Sequence, residues 1–142
     1  MISTPIQGGS MPKLKNTHNK ISVDLEQGSI VKKLSLEIIQ LERFKKEISD
    51  FPLETREDIF SLIERFIYGE VLSQKDLKIF RLEKNIKILE FRVKDQKGNW
   101  RAISTIKKGR YLLMVYAFHK KTQEIQEKDK ETIRLRIRNF DL

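Results

Sequence analysis

The sequence predicts an α+β domain in which an N-terminal helical hairpin packs on a small antiparallel sheet. Two patterns carry the expectation. Between residues 53 and 68, apolar residues recur at helical spacing. Between residues 86 and 118, three short runs are rich in β-branched and aromatic residues and are divided by glycine-bearing joints. Length adds a bound: 142 residues suit one domain and can bury a core without disulfide or metal staples. We therefore expect one domain over residues 30–142, preceded by a flexible arm at residues 1–29.

The arm holds three of the six glycines and two of the three prolines and lacks sustained periodicity. After it, Leu34, Leu36 and Ile38 alternate with Ser35 and Glu37, as in a strand. Leu34, Ile38, Leu41 and Ile48 also fit a helical face. A short strand before about residue 40 and a helix from about 40 to 49 reconcile the two patterns. The next helix is the clearest. Ile59, Leu62, Ile63, Phe66 and Ile67 form one stripe, Pro52 suits its start, Thr55 and Asp58 are capping candidates, and Gly69 is placed to end it.

The runs IKILEFRVK, WRAISTIK and YLLMVYAF then read as a three-stranded antiparallel meander, with DQKGN and KKGR as turns. Residues 127–140 fit two states. Ile133, Leu135 and Ile137 alternate with arginines as in a strand, while Ile133, Ile137 and Phe140 suit a helix.

Composition narrows the chemistry. There is no cysteine, which excludes thiolate catalysis, a disulfide framework and any cysteine-built zinc site. Two histidines, His18 and His119, are too few for a histidine metal centre, so no metal site is expected. No apolar run approaches a membrane span and no secretory signal is visible, so the expected compartment is the cytoplasm, with no membrane partner. The formal net charge is +9. Residues 75–121 carry fourteen basic and four acidic residues, and the rest of the chain is near neutral. Such a confined basic stretch suits a polyanion partner, or else a solvated lysine-rich surface.

Strand alternation distributes that charge. Leu89, Phe91, Val93, Trp100, Ala102, Ser104, Ile106, Leu113, Val115 and Ala117 form the expected face under the helices. The other face carries Ile88, Glu90 and Arg92, then Arg101, Ile103 and Thr105, then Met114, Tyr116, Phe118 and Lys120. With turns at 95–98 and 108–109, Arg92 falls opposite Arg101, and Arg101 opposite Tyr116. Two opposed arginines need neutralising. An RNA phosphate would serve, and so would Glu90 or a helix carboxylate. His119 has the opposite parity and reads as a strand-end residue, and Trp100 reads as core.

Three passages carry a resemblance: LEFRVKDQKGNWRAI, then LLMVYAFHKKTQ, then the basic C-terminal segment. With the preceding FPLETREDIFSLIERFIYGE, they resemble the RelE/HigB-type toxins of bacterial toxin–antitoxin systems, in particular the phage-related branch. Roughly residues 36–140 are covered, and Phe118 to Gln123 is the most specific part. The resemblance implies a small α+β fold with a C-terminal helix. It also implies cleavage of mRNA in the ribosomal A site, without metal or cofactor. The RNA's own 2′-hydroxyl attacks the adjacent phosphate and leaves a 2′,3′-cyclic phosphate.

Carried onto this chain, the resemblance places Arg92 and Arg101 at the scissile phosphate. Lys120 and Lys121 lie at flanking phosphate or ribosomal RNA. Tyr116 stands where many relatives have a histidine, as a proton-transfer or base-stacking group. Thr122, Gln123, Lys94 and Lys97 extend the RNA contact. Two departures stand out: Thr105 replaces a frequent tyrosine, and EIQE follows Thr122–Gln123 in place of a basic residue and proline. The implied partners are mRNA, the ribosome and a cognate antitoxin, often a small helix-turn-helix protein. The alternatives are a non-catalytic, gyrase-directed toxin of similar fold, or a basic RNA- or ribosome-binding domain.

Overall fold

The computed structural model describes residues 34–120 and 124–141. The expected arm and the candidate contacts Lys121, Thr122 and Gln123 lie outside the described residues. The elements run β1 (Glu37–Gln40), α1 (Glu42–Ser49), α2 (Leu53–Ile67), β2 (Leu77–Glu83), β3 (Ile86–Asp95), β4 (Gly98–Lys107), β5 (Tyr111–Lys120) and α3 (Glu127–Asn139). The expected α+β class, the hairpin of helices and the central meander are all present. The strand order is β1-β5-β4-β3-β2. β1 pairs parallel with β5, so the five-stranded sheet is mixed, with an antiparallel meander at its centre.

The sheet separates two apolar cores. On one side α1 and α2 bury Phe44, Ile48, Ile59, Phe60 and Ile63 against Leu89, Phe91, Trp100, Ala102, Leu112 and Met114. On the other, Ile133 and Ile137 of α3 pack on Ile88, Ile103, Leu113 and Val115. This second core settles the contested segment as a helix. Ile133 and Ile137 are one helical turn apart and both buried, whereas Leu135 is 45% exposed. A strand would have buried all three on one face.

Two expectations need correction, one about the sheet and one about α2. β5 departs from the assumed register twice. Three residues, not two, join β4 to β5, with Lys107 paired to Tyr111 and both Lys108 and Gly109 at positive φ. A β-bulge at Val115 then adds one further residue, between the pairs Ser104–Met114 and Ile103–Tyr116. Arg101 therefore lies opposite Phe118, not Tyr116. The two shifts cancel in parity beyond the bulge, so Tyr116, Phe118 and Lys120 keep the expected face. Between the shifts the faces exchange: Leu113 and Val115 lie under α3, and Met114 lies under the helical hairpin. The second correction concerns α2. Pro52 is its N-cap residue and no side chain caps it. Thr55 instead donates its hydroxyl to Oδ2 of Asp95, 3.0 Å away.

Asp95 organises the β3–β4 turn. It accepts from the backbone N–H groups of Lys97 and Gly98 and from Nε1 of Trp100. The indole and Thr55 bonds, with those amides, hold its carboxyl below the usual range despite some burial. His119 stacks on Trp100 at 4.1 Å between centroids and crosses the same turn, as its strand-end parity required. Gly98 sits beneath it at φ +141°, and a Cβ there would overlap Nε2 of the imidazole. Gly98→Ala should therefore cost about 1–3 kcal/mol, read from urea unfolding. An unchanged midpoint would show that His119 can leave its stack freely.

Candidate functional site

The α3 side of the sheet is apolar only in part. Toward the β3–β4 turn its side chains become charged, because alternation on four strands brings polar residues of successive rungs onto one face. β2, unassigned in the sequence reading, contributes Lys78, which lies opposite Glu90. β3 contributes Glu90, Arg92 and Lys94. β4 contributes Arg101, directly opposite Arg92, as the turn spacing predicted. β5 contributes Phe118, opposite Arg101, and Lys120, opposite Asn99.

Three of these charges are buried: Glu90 is 2%, Lys120 4% and Arg101 6% exposed. Nε of Arg101 lies 2.8 Å from Oε2 of Glu90. Glu90 thus neutralises one arginine, one of the two solutions open from the sequence. Arg92 instead donates from Nη1 to the carbonyl of Gln74 at 3.1 Å. The surroundings remain electropositive. Burial lowers the Arg101 guanidinium's affinity for its proton, Glu90 opposes that, and Arg92 adds to it. Burial likewise lowers the Lys120 pKa; Arg101, Arg92 and Lys78 push it the same way against Glu90. Lys78, Arg92 and Lys120 thus stand near the Glu90–Arg101 pair, an arrangement suited to an incoming anion.

An aromatic pair adjoins the cluster. Tyr116 and Phe118 stack with centroids 4.9 Å apart. They line an open groove of ≈ 350 Å³ with Lys120 and, from the start of α3, Gln126, Lys128 and Asp129. Tyr116 donates its hydroxyl to Oδ1 of Asp129 at 2.8 Å. Burial first, and Asp129 second, hold its phenol well above the ordinary tyrosine range. At neutral pH it is a neutral donor. The guanidinium of Arg136 covers its ring at 4.8 Å.

The structure thus brings Arg92, Arg101 and Lys120 into one electrostatic cluster and sets Tyr116 beside it. Lys94 is exposed one row out, opposite Asn99, and Lys97 is exposed in the β3–β4 turn. Sequence reasoning missed Lys78, because LKIFRLE is only partly alternating and Lys84–Asn85 is not a marked hairpin turn. It also missed Asp129, for which no local signal exists.

A family model described as Phage derived protein Gp49-like (DUF891) matches residues 46–138. The chain belongs to this family. The Gp49-like match starts within α1 and ends within α3, so it spans the basic cluster and the aromatic groove. The Gp49-like family is RelE-like and related to the toxins of toxin–antitoxin systems. It is associated with endonuclease-type toxins, and membership implies a cognate antitoxin partner. No curated protein matches the sequence. Among the described residues, no helix is long and apolar enough to cross a membrane.

Proposed function

We propose that this Gp49-like chain is the toxin of a toxin–antitoxin pair and cuts ribosome-bound mRNA. The observation that carries the reading is the cluster of Lys78, Arg92, Arg101 and Lys120 around Glu90, beside the Tyr116–Phe118 stack. Cations in a partly dry site hold phosphate, and aromatic rings accept splayed bases. In the proposed reaction the 2′-oxygen forms a bond to phosphorus and the bond to the 5′-oxygen breaks. Arg92 and Arg101 hold the non-bridging oxygens as charge builds on them. Lys120, whose proton is loosened by its surroundings, passes it to the departing 5′-oxygen. The 2′-hydroxyl proton leaves to water. Tyr116 keeps its own proton, and its ring is already covered by Phe118 and Arg136, so we assign it to holding Phe118 in place and not to proton transfer. Lys94, Lys97, Lys121, Thr122 and Gln123 are proposed to follow the flanking RNA. The partner is the cognate antitoxin, and the place of action is the cytoplasm.

Growth of bacteria expressing the chain tests this reading. The wild type should arrest growth, and the product of the adjacent reading frame should relieve the arrest. Arg92→Ala should restore growth at wild-type protein levels, since Arg92 is the arginine of the pair not tied to Glu90. Full toxicity of Arg92→Ala, or arrest with intact mRNA and altered DNA supercoiling, would refute the ribonuclease assignment and favour a gyrase-directed toxin.

A further inference from the structure

We infer that Glu47 of α1 is a positioning residue that decides which β5 side chains face the site. The inference rests on the reading of that site as a ribonuclease centre. β1 leaves β5 at Leu41, whose N–H donates to the carbonyl of Met114 at 3.1 Å. Beyond that point the outer edge of β5 has no β1 pairing, and the bulge falls in this stretch. Two side chains take over from the strand. The N–H of Ala117 donates to Oε1 of Glu47 at 3.1 Å. Nη1 of Arg136 donates to the carbonyl of Val115 at 3.0 Å. The same guanidinium grips the Glu47 carboxylate through two bonds, of 2.9 and 2.7 Å. One carboxylate therefore ties α1, the bulge and α3 together.

The consequence follows from strand parity. If the bulge straightened, the pairing of Ser104 with Met114 would continue as Arg101 with Ala117 and Asn99 with His119. His119 would then take the face now held by Lys120, and Ala117 the place of Phe118. Lys120 and Phe118 would turn toward the helical hairpin. The bulged register needs an acceptor for the Ala117 N–H at the sheet edge, and Glu47 supplies it.

The test compares three variants of the full chain at a temperature where circular dichroism shows each to be folded. Glu47→Gln keeps an oxygen for the Ala117 N–H, whereas Glu47→Leu keeps bulk without an acceptor. Glu47→Asp keeps the charge but draws it back from the strand. Ribosome-dependent cleavage gives kcat and KM. Trp100, the one tryptophan of the chain, gives an independent report of register, because His119 is stacked on it. Glu47→Leu should lose kcat by about 100-fold with KM little changed, as a displaced reacting group does, and its tryptophan emission should shift. Glu47→Gln should retain most of kcat and the wild-type emission. If the leucine variant fails to fold, Glu47→Asp carries the same test, with a loss of kcat and a shifted emission expected. A folded Glu47→Leu or Glu47→Asp variant with wild-type emission overturns the inference, whatever its kcat. If the wild-type chain cuts no RNA but the emission shifts as expected, the ribonuclease reading falls and control of the register by Glu47 stands.

Discussion

Arg101→Ala should fail twice, in catalysis and in folding. Arg101 is proposed to hold the phosphate oxygens, and losing one such donor costs about 10²–10³ in rate. It is also the ion-pair partner of Glu90, and both side chains are almost fully buried. Removing it leaves a buried carboxylate without its guanidinium, at a cost of about 3–5 kcal/mol. That is a large part of the stability of a small domain, about 5–15 kcal/mol. Growth rescue by Arg101→Ala is therefore ambiguous by itself. A paired variant separates the two effects. Glu90→Leu with Arg101→Met replaces the ion pair by apolar groups of similar volume, which is often neutral for stability. Its urea midpoint should return close to the wild type while RNA cleavage stays lost. Recovery of cleavage together with stability would show that Arg101 serves only the fold.

Lys120→Met should behave in the opposite way, losing activity while the fold gains. Lys120 is buried, and burial with Arg101, Arg92 and Lys78 lowers its pKa despite Glu90. An unfolded lysine titrates at about 10.4. As pH rises, the folded chain releases this proton first. Between the folded and unfolded values the unfolded chain binds more protons, so stability rises with pH through that window. Below it the buried charge is a standing penalty. The methionine removes that penalty, so the thermal midpoint at neutral pH should rise and the alkaline rise attributed to Lys120 should vanish. Cleavage should fall by about 100-fold or more, the usual effect of losing a general acid. Inorganic phosphate should raise the wild-type midpoint more than that of the variant, since an anion bound at Lys120 stabilises the folded state. A lower midpoint in the variant, with cleavage intact, would remove Lys120 from the site.

These two residues also show how far the site was legible. The pairing of Arg92 with Arg101 follows from a short turn that Asp95 and Gly98 build locally. Local chemistry of that kind can be read along the chain. The phase of β5 cannot. Its bulge is held by Glu47, 70 residues from Ala117, and by Arg136, 89 residues from Glu47. Nothing near Val115 in the sequence announces it. Lys120 kept its expected face only because a longer loop and a bulge cancelled. Tyr116 kept its face but lost its expected neighbour. Residues 127–140 were undecided for another reason: an alternating segment of apolar residues and arginines fits both periods. Only the burial of Ile133 and Ile137 around an exposed Leu135 decides it.

In the proposed reaction the Arg92–Arg101–Lys120 cluster breaks RNA by internal transfer to the 2′-oxygen. The most direct measurement is primer extension on an mRNA during in vitro translation with the purified wild-type chain, with end analysis of the fragments. Codon-phased cuts that need the ribosome are expected. One new end should carry a 2′,3′-cyclic phosphate and the other a 5′-hydroxyl. Intact mRNA, or 5′-phosphate ends at the cuts, would contradict this reaction.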